Sequence, residues 1–251
     1  MFVHESGTPG APAVLLLHGA GLSHAMWEPQ VRDLARFHLL APDLPGHGKS
    51  PDAVFDLGDC VRRLTGIIQE RAAGAKAHIV GLSLGGAVGL TLASVNPAAV
   101  ESLFVSGTST PLRRVLASLV RLNEPFLRIL SPQQQAGLLL LQFRVPRTYR
   151  AQVREALGEF RPAALAGVIR ALTEIQIPLD RVPRTLVAVG QRETFLAKRY
   201  ARRIAQMVPG AAGVMVPGAG HLWNLESPEL FSSAVESWIT GRELPGRLIA
   251  L

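Results

Sequence analysis

The chain has 251 residues, 48 % hydrophobic and 18 % charged, which suits one α/β domain with a generous core and excludes a disordered chain. Aliphatic runs such as residues 138–141 are far short of the roughly 20 needed to cross a bilayer, and residues 1–7 lack a basic start and an apolar signal core, so no membrane span and a cytoplasmic location are expected. The net charge is +7, but aromatics are only 6 % and the arginines are scattered, which argues against nucleic-acid binding.

Short apolar segments alternate with amphipathic ones, the pattern of a mostly parallel sheet flanked by helices. In chain order the expected elements are strand 13–17, helix 28–36, strand 38–41, helix 57–71, strand 77–80, helix 84–95, strand 103–105, strand 185–189, helix 195–207, strand 213–216 and helix 228–240. Ser227 is expected to cap the last helix, with Pro228 in its first turn. The alternation breaks between 110 and 183. Prolines at 125, 132, 146 and 162 divide that stretch into short helical pieces, and leucine-rich faces (Leu116, Leu119, Val120 and 138–141) suggest that it packs on something apolar. The expected organisation is therefore a core of 1–109 and 184–251 with a helical cap inserted at 110–183. The tail, 241–251, holds the helix stop Pro245-Gly246 and an apolar end, suited to packing on the body or to self-association, so a monomer or a homodimer is expected. Cys60 is the only cysteine, which rules out an internal disulfide, and its helical setting suits a buried thiol. Lys198, Arg199, Arg202 and Arg203 recur at helical spacing and are read as a solvated face.

Residues 81–86 read Gly-Leu-Ser-Leu-Gly-Gly directly after the apolar run 77–80. Gly-x-Ser-x-Gly at a strand-to-helix junction permits a very sharp turn that exposes the serine hydroxyl above the sheet, so Ser83 is the candidate nucleophile. A serine hydroxyl needs a base, and the base needs an orienting group. His221 is the only histidine that follows Ser83. It lies in the loop Pro217-Gly218-Ala219-Gly220-His221, at the sheet edge where ligands bind in open α/β folds.

Two further segments complete a resemblance. Leu17-His18-Gly19-Ala20-Gly21 and Asp43-Leu44-Pro45-Gly46-His47-Gly48-Lys49-Ser50, together with the serine turn and the His221 loop, make the chain similar to the α/β-hydrolases from about residue 14 to residue 238. The resemblance implies the triad order serine, acid, histidine, and an oxyanion hole made by the backbone N–H groups of Ala20 and Leu84. It places Glu193, in Val189-Gly190-Gln191-Arg192-Glu193, where the family usually has aspartate. The competing reading of Glu193 is a surface carboxylate paired with Arg192 or Lys198. The other acid position, after the strand ending near Ser106, offers only Gly107, Thr108, Ser109 and Thr110, and Asp180 precedes its strand.

Met26, Trp27, Leu222 and Trp223 flank these positions and are expected either to line the substrate pocket or to be core. Gly48-Lys49-Ser50 is not a P-loop, because Asp43 stands where that motif needs glycine, and Gly19-Ala20-Gly21 is not a dinucleotide fingerprint, because position 24 is His. His18, His24 and His47 have no metal-ligand spacing, so neither a metal nor a cofactor is expected.

The reading is a serine hydrolase that cleaves carboxylic esters through an acyl-enzyme. The resemblance also admits lactonases, thioesterases, amidases, carbon–carbon bond hydrolases, cofactor-free haloperoxidases and non-enzymatic ligand-binding or signalling proteins. Ser83 argues against dehalogenases and epoxide hydrolases, which use aspartate. Residues 15–50 are similar to those of carboxylesterases acting on carrier-bound acyl chains. An ester substrate is expected, free or carried on an acidic protein that Arg113, Arg114, Arg144 and Arg147 would meet.

Overall fold

A computed structural model describes residues 1–52, 54–108, 132–174 and 178–251. Its strands are β1 (Val3–Gly7), β2 (Ala13–Leu17), β3 (His38–Pro42), β4 (Ala77–Leu82), β5 (Val100–Ser106), β6 (Thr185–Gly190), β7 (Ala212–Val216) and β8 (Ile249–Ala250). They form one sheet in the order β1-β3-β2-β4-β5-β6-β7-β8. The pairings from β3 to β7 are parallel, and β1 and β8 close the two ends antiparallel. β2, β3 and β6 are buried throughout, which is why they read as continuous apolar runs rather than alternating ones. The six expected strands are all present. β1 and β8 were not expected: β1 is the polar stretch Val-His-Glu-Ser-Gly, and β8 has two residues.

Helices cover both faces: α1 (Glu28–Asp33), α2 (Leu57–Arg71), α3 (Leu84–Val95), α4 (Pro132–Gln142), α5 (Arg150–Glu159), α6 (Pro162–Glu174), α7 (Phe195–Met207), α8 (Trp223–Glu226) and α9 (Pro228–Thr240). α1 is shorter than expected, because the chain turns after Asp33 to enter β3 and the Phe37 N–H closes on the Leu34 carbonyl at 2.9 Å. Asp56 caps α2 through the Asp59 N–H and Thr194 caps α7 through the Ala197 N–H, at 2.8 and 3.2 Å. Ser227 occupies the N-cap position of α9 with Pro228 after it, but its side chain makes no cap bond. Its backbone is shared: the N–H closes α8 on the Trp223 carbonyl, and the carbonyl opens α9 on the Phe231 N–H.

Residues of β2 divide by parity between two cores. Ala13, Leu15 and Leu17 join Leu64, Ile79, Val88 and Ile204 on one face. Val14 and Leu16 join Trp27, Phe104, Trp223 and Phe231 on the other. Full burial of each such side chain contributes roughly 1.5–3 kcal/mol. Cys60 lies in the first core with no exposed surface, and burial raises its thiol pKa far above the ordinary range. The tail packs as expected: the Leu251 N–H bonds the Gly213 carbonyl at 3.0 Å, and Leu244 and Leu248 rest on the second core.

Between β5 and β6 the described chain is helical. α4 packs on α5, and α6 packs on α2 and α3. A Cβ on Gly167 would lie 1.8 Å from the Phe55 carbonyl oxygen, so only glycine lets α6 sit this close. Gln152 ties α5 to the 3₁₀ turn His24–Trp27 through the Ala25 carbonyl at 2.8 Å. Leu116, Leu119, Val120, Pro125, Arg113 and Arg114 lie outside the described residues. No described helix is long and apolar enough to cross a membrane.

Candidate active site

Ser83 is the single residue between β4 and α3, with φ 56° and ψ −112°. A non-glycine residue at positive φ is strained by about 1–3 kcal/mol. Its surroundings hold it there: the N–H donates to the Ser106 carbonyl at 2.8 Å, and its carbonyl accepts from the N–H groups of Gly86 and Ala87. The glycines around it answer to three different neighbours. A Cβ on Gly81 would meet the Gly85 carbonyl oxygen at 2.5 Å, one on Gly85 the Leu17 carbonyl oxygen at 2.0 Å, and one on Gly86 the Thr108 hydroxyl at 1.8 Å. The turn therefore exists only because side chains are missing at these sites.

The loop after β6 carries Glu193, and the loop after β7 carries His221. Glu193 Oε2 lies 2.8 Å from His221 Nδ1, and Glu193 Oε1 accepts the Gly190 N–H at 3.0 Å. Neither cation considered as its partner is bonded to it. Arg192 pairs with Glu226, and Lys198 Nζ donates to the Gln191 carbonyl at 3.2 Å. The position after β5 is glycine for a packing reason. A Cβ on Gly107, whose φ is +58°, would fall 2.7 Å from His221 Nδ1 and 3.4 Å from Glu193 Oε2.

Ser83 and His221 open onto one cavity of about 220 Å³. Gly19, Ala20, Leu22, Leu82 and Leu222 line it from the sheet side, and Leu139, Phe143, Val145, Val153 and Leu157 from α4, α5 and the segment between them. Among the described residues, every lining side chain apart from Ser83 and His221 is apolar. The Phe143 ring stacks on the His221 ring, centroids 5.1 Å apart at 26°.

Of the four expected pocket residues, Leu222 lines the cavity. Met26, Trp27 and Trp223 do not. All three are buried in the second core, where Trp223 Nε1 donates to Ser106 Oγ at 2.7 Å. The chain enters α8 straight after Leu222 and turns Trp223 inward. The lining from α4 and α5 was missed, except that the leucine run 138–141 holds Leu139. Ala20 is exposed on the cavity, and Leu84 is the first residue of α3, where backbone N–H groups have no helical partner. Arg144 and Arg147, exposed, flank Phe143 and Val145 at the cavity.

A buried polar layer supports the loop at Ala20. His18 Nε2 accepts the Leu44 N–H at 2.9 Å, which leaves the proton on Nδ1 to donate to the Gly19 carbonyl at 2.8 Å. Asp43 accepts from the His24 N–H at 2.6 Å and the Lys49 N–H at 2.8 Å, and its Oδ1 lies 2.9 Å from His24 Nδ1. His18 and Asp43 thus hold the loops by hydrogen bonds, and His47 Nδ1 lies 3.0 Å from the Pro45 carbonyl.

This layer is expected to make the fold acid-sensitive. Burial lowers His18 to about 4 and His47 to about 3, from an ordinary 6.5. Below pH 6.5 the unfolded chain takes up two protons that the folded chain refuses, so stability falls with pH until those folded values are reached. Each histidine is expected to cost about 2 kcal/mol between pH 6.5 and 5. Burial alone would raise the Asp43 carboxyl, but its bonds to His24 and Lys49 and the nearby His18 hold it below its ordinary value. Its contribution is present above that ordinary value and is lost only as pH falls through the lower folded one. Urea unfolding at pH 7 and pH 5 measures the histidine term, and His18→Gln should shrink the difference; equal stability at both pH values would refute it.

A mainly parallel sheet with a serine turn at the carboxyl end of a central strand defines a hydrolase class. The sequence profile described as "Alpha/beta hydrolase family" matches residues 14–234, and the chain belongs to that family. An AB hydrolase superfamily protein from Gibberella zeae is 32 % identical over 96 % of this chain and 85 % of its own. A pimeloyl-[acyl-carrier protein] methyl ester esterase from Nitrosomonas europaea is 27 % identical over 94 % of this chain and 98 % of its own. A 2-(acetamidomethylene)succinate hydrolase from Mesorhizobium japonicum is 27 % identical over 94 % of this chain and 90 % of its own. Among solved structures, a hydrolase from Pseudomonas aeruginosa superposes with TM-score 0.82 at 28 % identity, covering 94 % of this chain and 93 % of that one.

Proposed function

We propose that this protein hydrolyses neutral, apolar carboxylic esters through an acyl-enzyme on Ser83. The observation that carries the reading is the Glu193–His221 bond. With Nδ1 engaged by a carboxylate, the Nε2 of a neutral imidazole is left unprotonated, the form that can accept the Ser83 proton. Ser83 Oγ attacks the ester carbonyl as His221 takes its proton. The N–H groups of Ala20 and Leu84 receive the oxyanion, and such donors typically lower the barrier by a few kcal/mol each. His221 then protonates the departing alkoxide oxygen, and the alcohol leaves. In the second half His221 activates water, which releases the acid and restores Ser83. In this reading α4, α5 and the chain between them act as a cap that supplies half of the apolar wall.

A neutral apolar ester is favoured over a charged one because, among the described residues, no lining side chain other than Ser83 and His221 is polar, and a buried unpaired charge is costly. The Nitrosomonas europaea relative, named as a methyl ester esterase, supports the same bond type. The ester is free or carried on an acidic protein that Arg144 and Arg147 would meet. A series of p-nitrophenyl esters from acetyl to decanoyl, run beside a thioester, a lactone and an anilide, tests the proposal. The expected result is preference for esters with an optimum at one acyl length, and stoichiometric labelling of Ser83 by a fluorophosphonate. No labelling and no ester turnover would leave the binding-protein reading instead.

A further inference from the structure

We propose that Glu226 is a positioning residue that, by holding Arg192 and the Gly220 N–H, keeps the Glu193 carboxylate free for His221. This rests on the triad reading above.

The loops that carry Glu193 and His221 are stitched together. The Gln191 N–H bonds the Val216 carbonyl and the Arg192 N–H bonds the Ala219 carbonyl, both at 2.9 Å, while Gln191 Oε1 accepts the Gly218 N–H at 2.8 Å. A Cβ on Gly190 would lie 2.5 Å from the Gly220 carbonyl oxygen, so the two loops are in backbone contact. Arg192 thus stands immediately before the acid, on a loop pressed against the base. A guanidinium there is a hazard. A bidentate grip on Glu193 would use the same oxygens that hold His221 Nδ1 and the Gly190 N–H.

Glu226 removes the hazard. It is the last residue of α8, and its side chain is 10 % exposed. Its carboxylate pairs with Arg192 and also accepts the Gly220 N–H, 3.1 Å from Oε1 and 3.3 Å from Oε2. Gly220 precedes His221, so the same group fixes the backbone from which the imidazole hangs. The fit is close, since a Cβ on Gly220 would come within 2.7 Å of Glu226 Oε1. The charged groups acting on Glu226 are Arg192, Arg144 and Glu193. Burial raises its carboxyl and Glu193 adds to this, while Arg192, the Gly220 N–H and Arg144 oppose the rise.

The test uses the full-length protein and the best p-nitrophenyl ester. Glu226→Ala is expected to lower kcat about tenfold or more with KM nearly unchanged, and to slow fluorophosphonate labelling in parallel. Removing Arg192 as well, in Glu226→Ala/Arg192→Ala, is expected to recover most of that loss, a sign of coupling that simple loosening of the loop does not produce. Glu226→Gln keeps one acceptor oxygen for two partners and loses the charge, and is expected to lose about threefold, again recovered by adding Arg192→Ala. Wild-type kcat in Glu226→Ala, or a loss that deleting Arg192 leaves in place, overturns the proposal. If Glu226→Ala does not melt cooperatively, the Glu226→Gln pair decides by the same rescue. Full turnover in Ser83→Ala would instead overturn the underlying triad reading.

Discussion

Ser83→Ala is expected to lower kcat/KM for the preferred ester by about 10⁴-fold or more while leaving the thermal midpoint nearly unchanged. Alanine keeps the Cβ and makes every backbone bond of the turn: the N–H to Ser106 and the carbonyl to Gly86 and Ala87. The positive φ of 56° strains alanine as it strains serine, so the fold sees little difference. Only the hydroxyl that would become the acyl carrier is gone. His221→Ala is expected to cost a similar factor, and the double variant little more, because the two groups act as a unit. Progress curves with active-site titration check all three. Unchanged hydrolysis in Ser83→Ala would end the serine mechanism.

The second large effect concerns Glu193→Gln, where the substitution changes one atom and the structure says which way the amide must face. In the wild type one carboxylate oxygen accepts the Gly190 N–H and the other faces His221 Nδ1. In the glutamine variant the amide oxygen is claimed by the Gly190 N–H, so the NH₂ faces Nδ1. That nitrogen must then be unprotonated, which puts the ring proton on Nε2, where the Ser83 proton should go. The expected loss in kcat is about 10³- to 10⁴-fold. Glu193→Ala merely deletes the orienting group, leaves the tautomer free and is expected to cost less. An alanine variant slower than the glutamine variant would mean that Glu193 does not set the tautomer. A glutamine variant with wild-type kcat would mean that it has no role in the site.

These predictions draw on the part of the molecule that local sequence makes visible. The β4–Ser83–α3 turn was legible because its chemistry is short-range: an apolar strand, three glycines and a helix within a few residues. The bounds of α2, α3, α7 and α9 were legible for the same reason, each being an amphipathic or apolar run with a clear stop. β1 was hidden because Val-His-Glu-Ser-Gly has no apolar pattern, and its five backbone pairings with β3 depend on where β3 lies. β8 is two residues long and is held by β7 rather than by its own propensity.

The site divides the same way. Glu193 and His221 could be placed by their positions after two strands, but Arg192's partner could not, since Glu226 is brought to it only when α8 folds back. The cavity wall was the least visible part. Val153 and Leu157 sit in a short helix, and Phe143 and Val145 in the turn before it, which periodicity marks only as packing on something apolar. Which of them meet the cavity depends on how α4 and α5 lie across the sheet. For Met26, Trp27 and Trp223, closeness in sequence to Ala20 and His221 left pocket and core both open, and the backbone carried them into the core.

Cys60 has a consequence for the conditions under which the protein can work. It is the chain's single cysteine, it lies in the core without exposed surface, and burial keeps it a thiol rather than a thiolate. Disulfide exchange acts on exposed thiolates, so it finds no target at Cys60. No cross-link awaits reduction either. The chemistry proposed at Ser83 needs only a hydroxyl, an imidazole and a carboxylate, none of which changes oxidation state. Fold and candidate site are thus indifferent to thiol–disulfide exchange, and glutathione, whether oxidised or reduced, should leave both untouched.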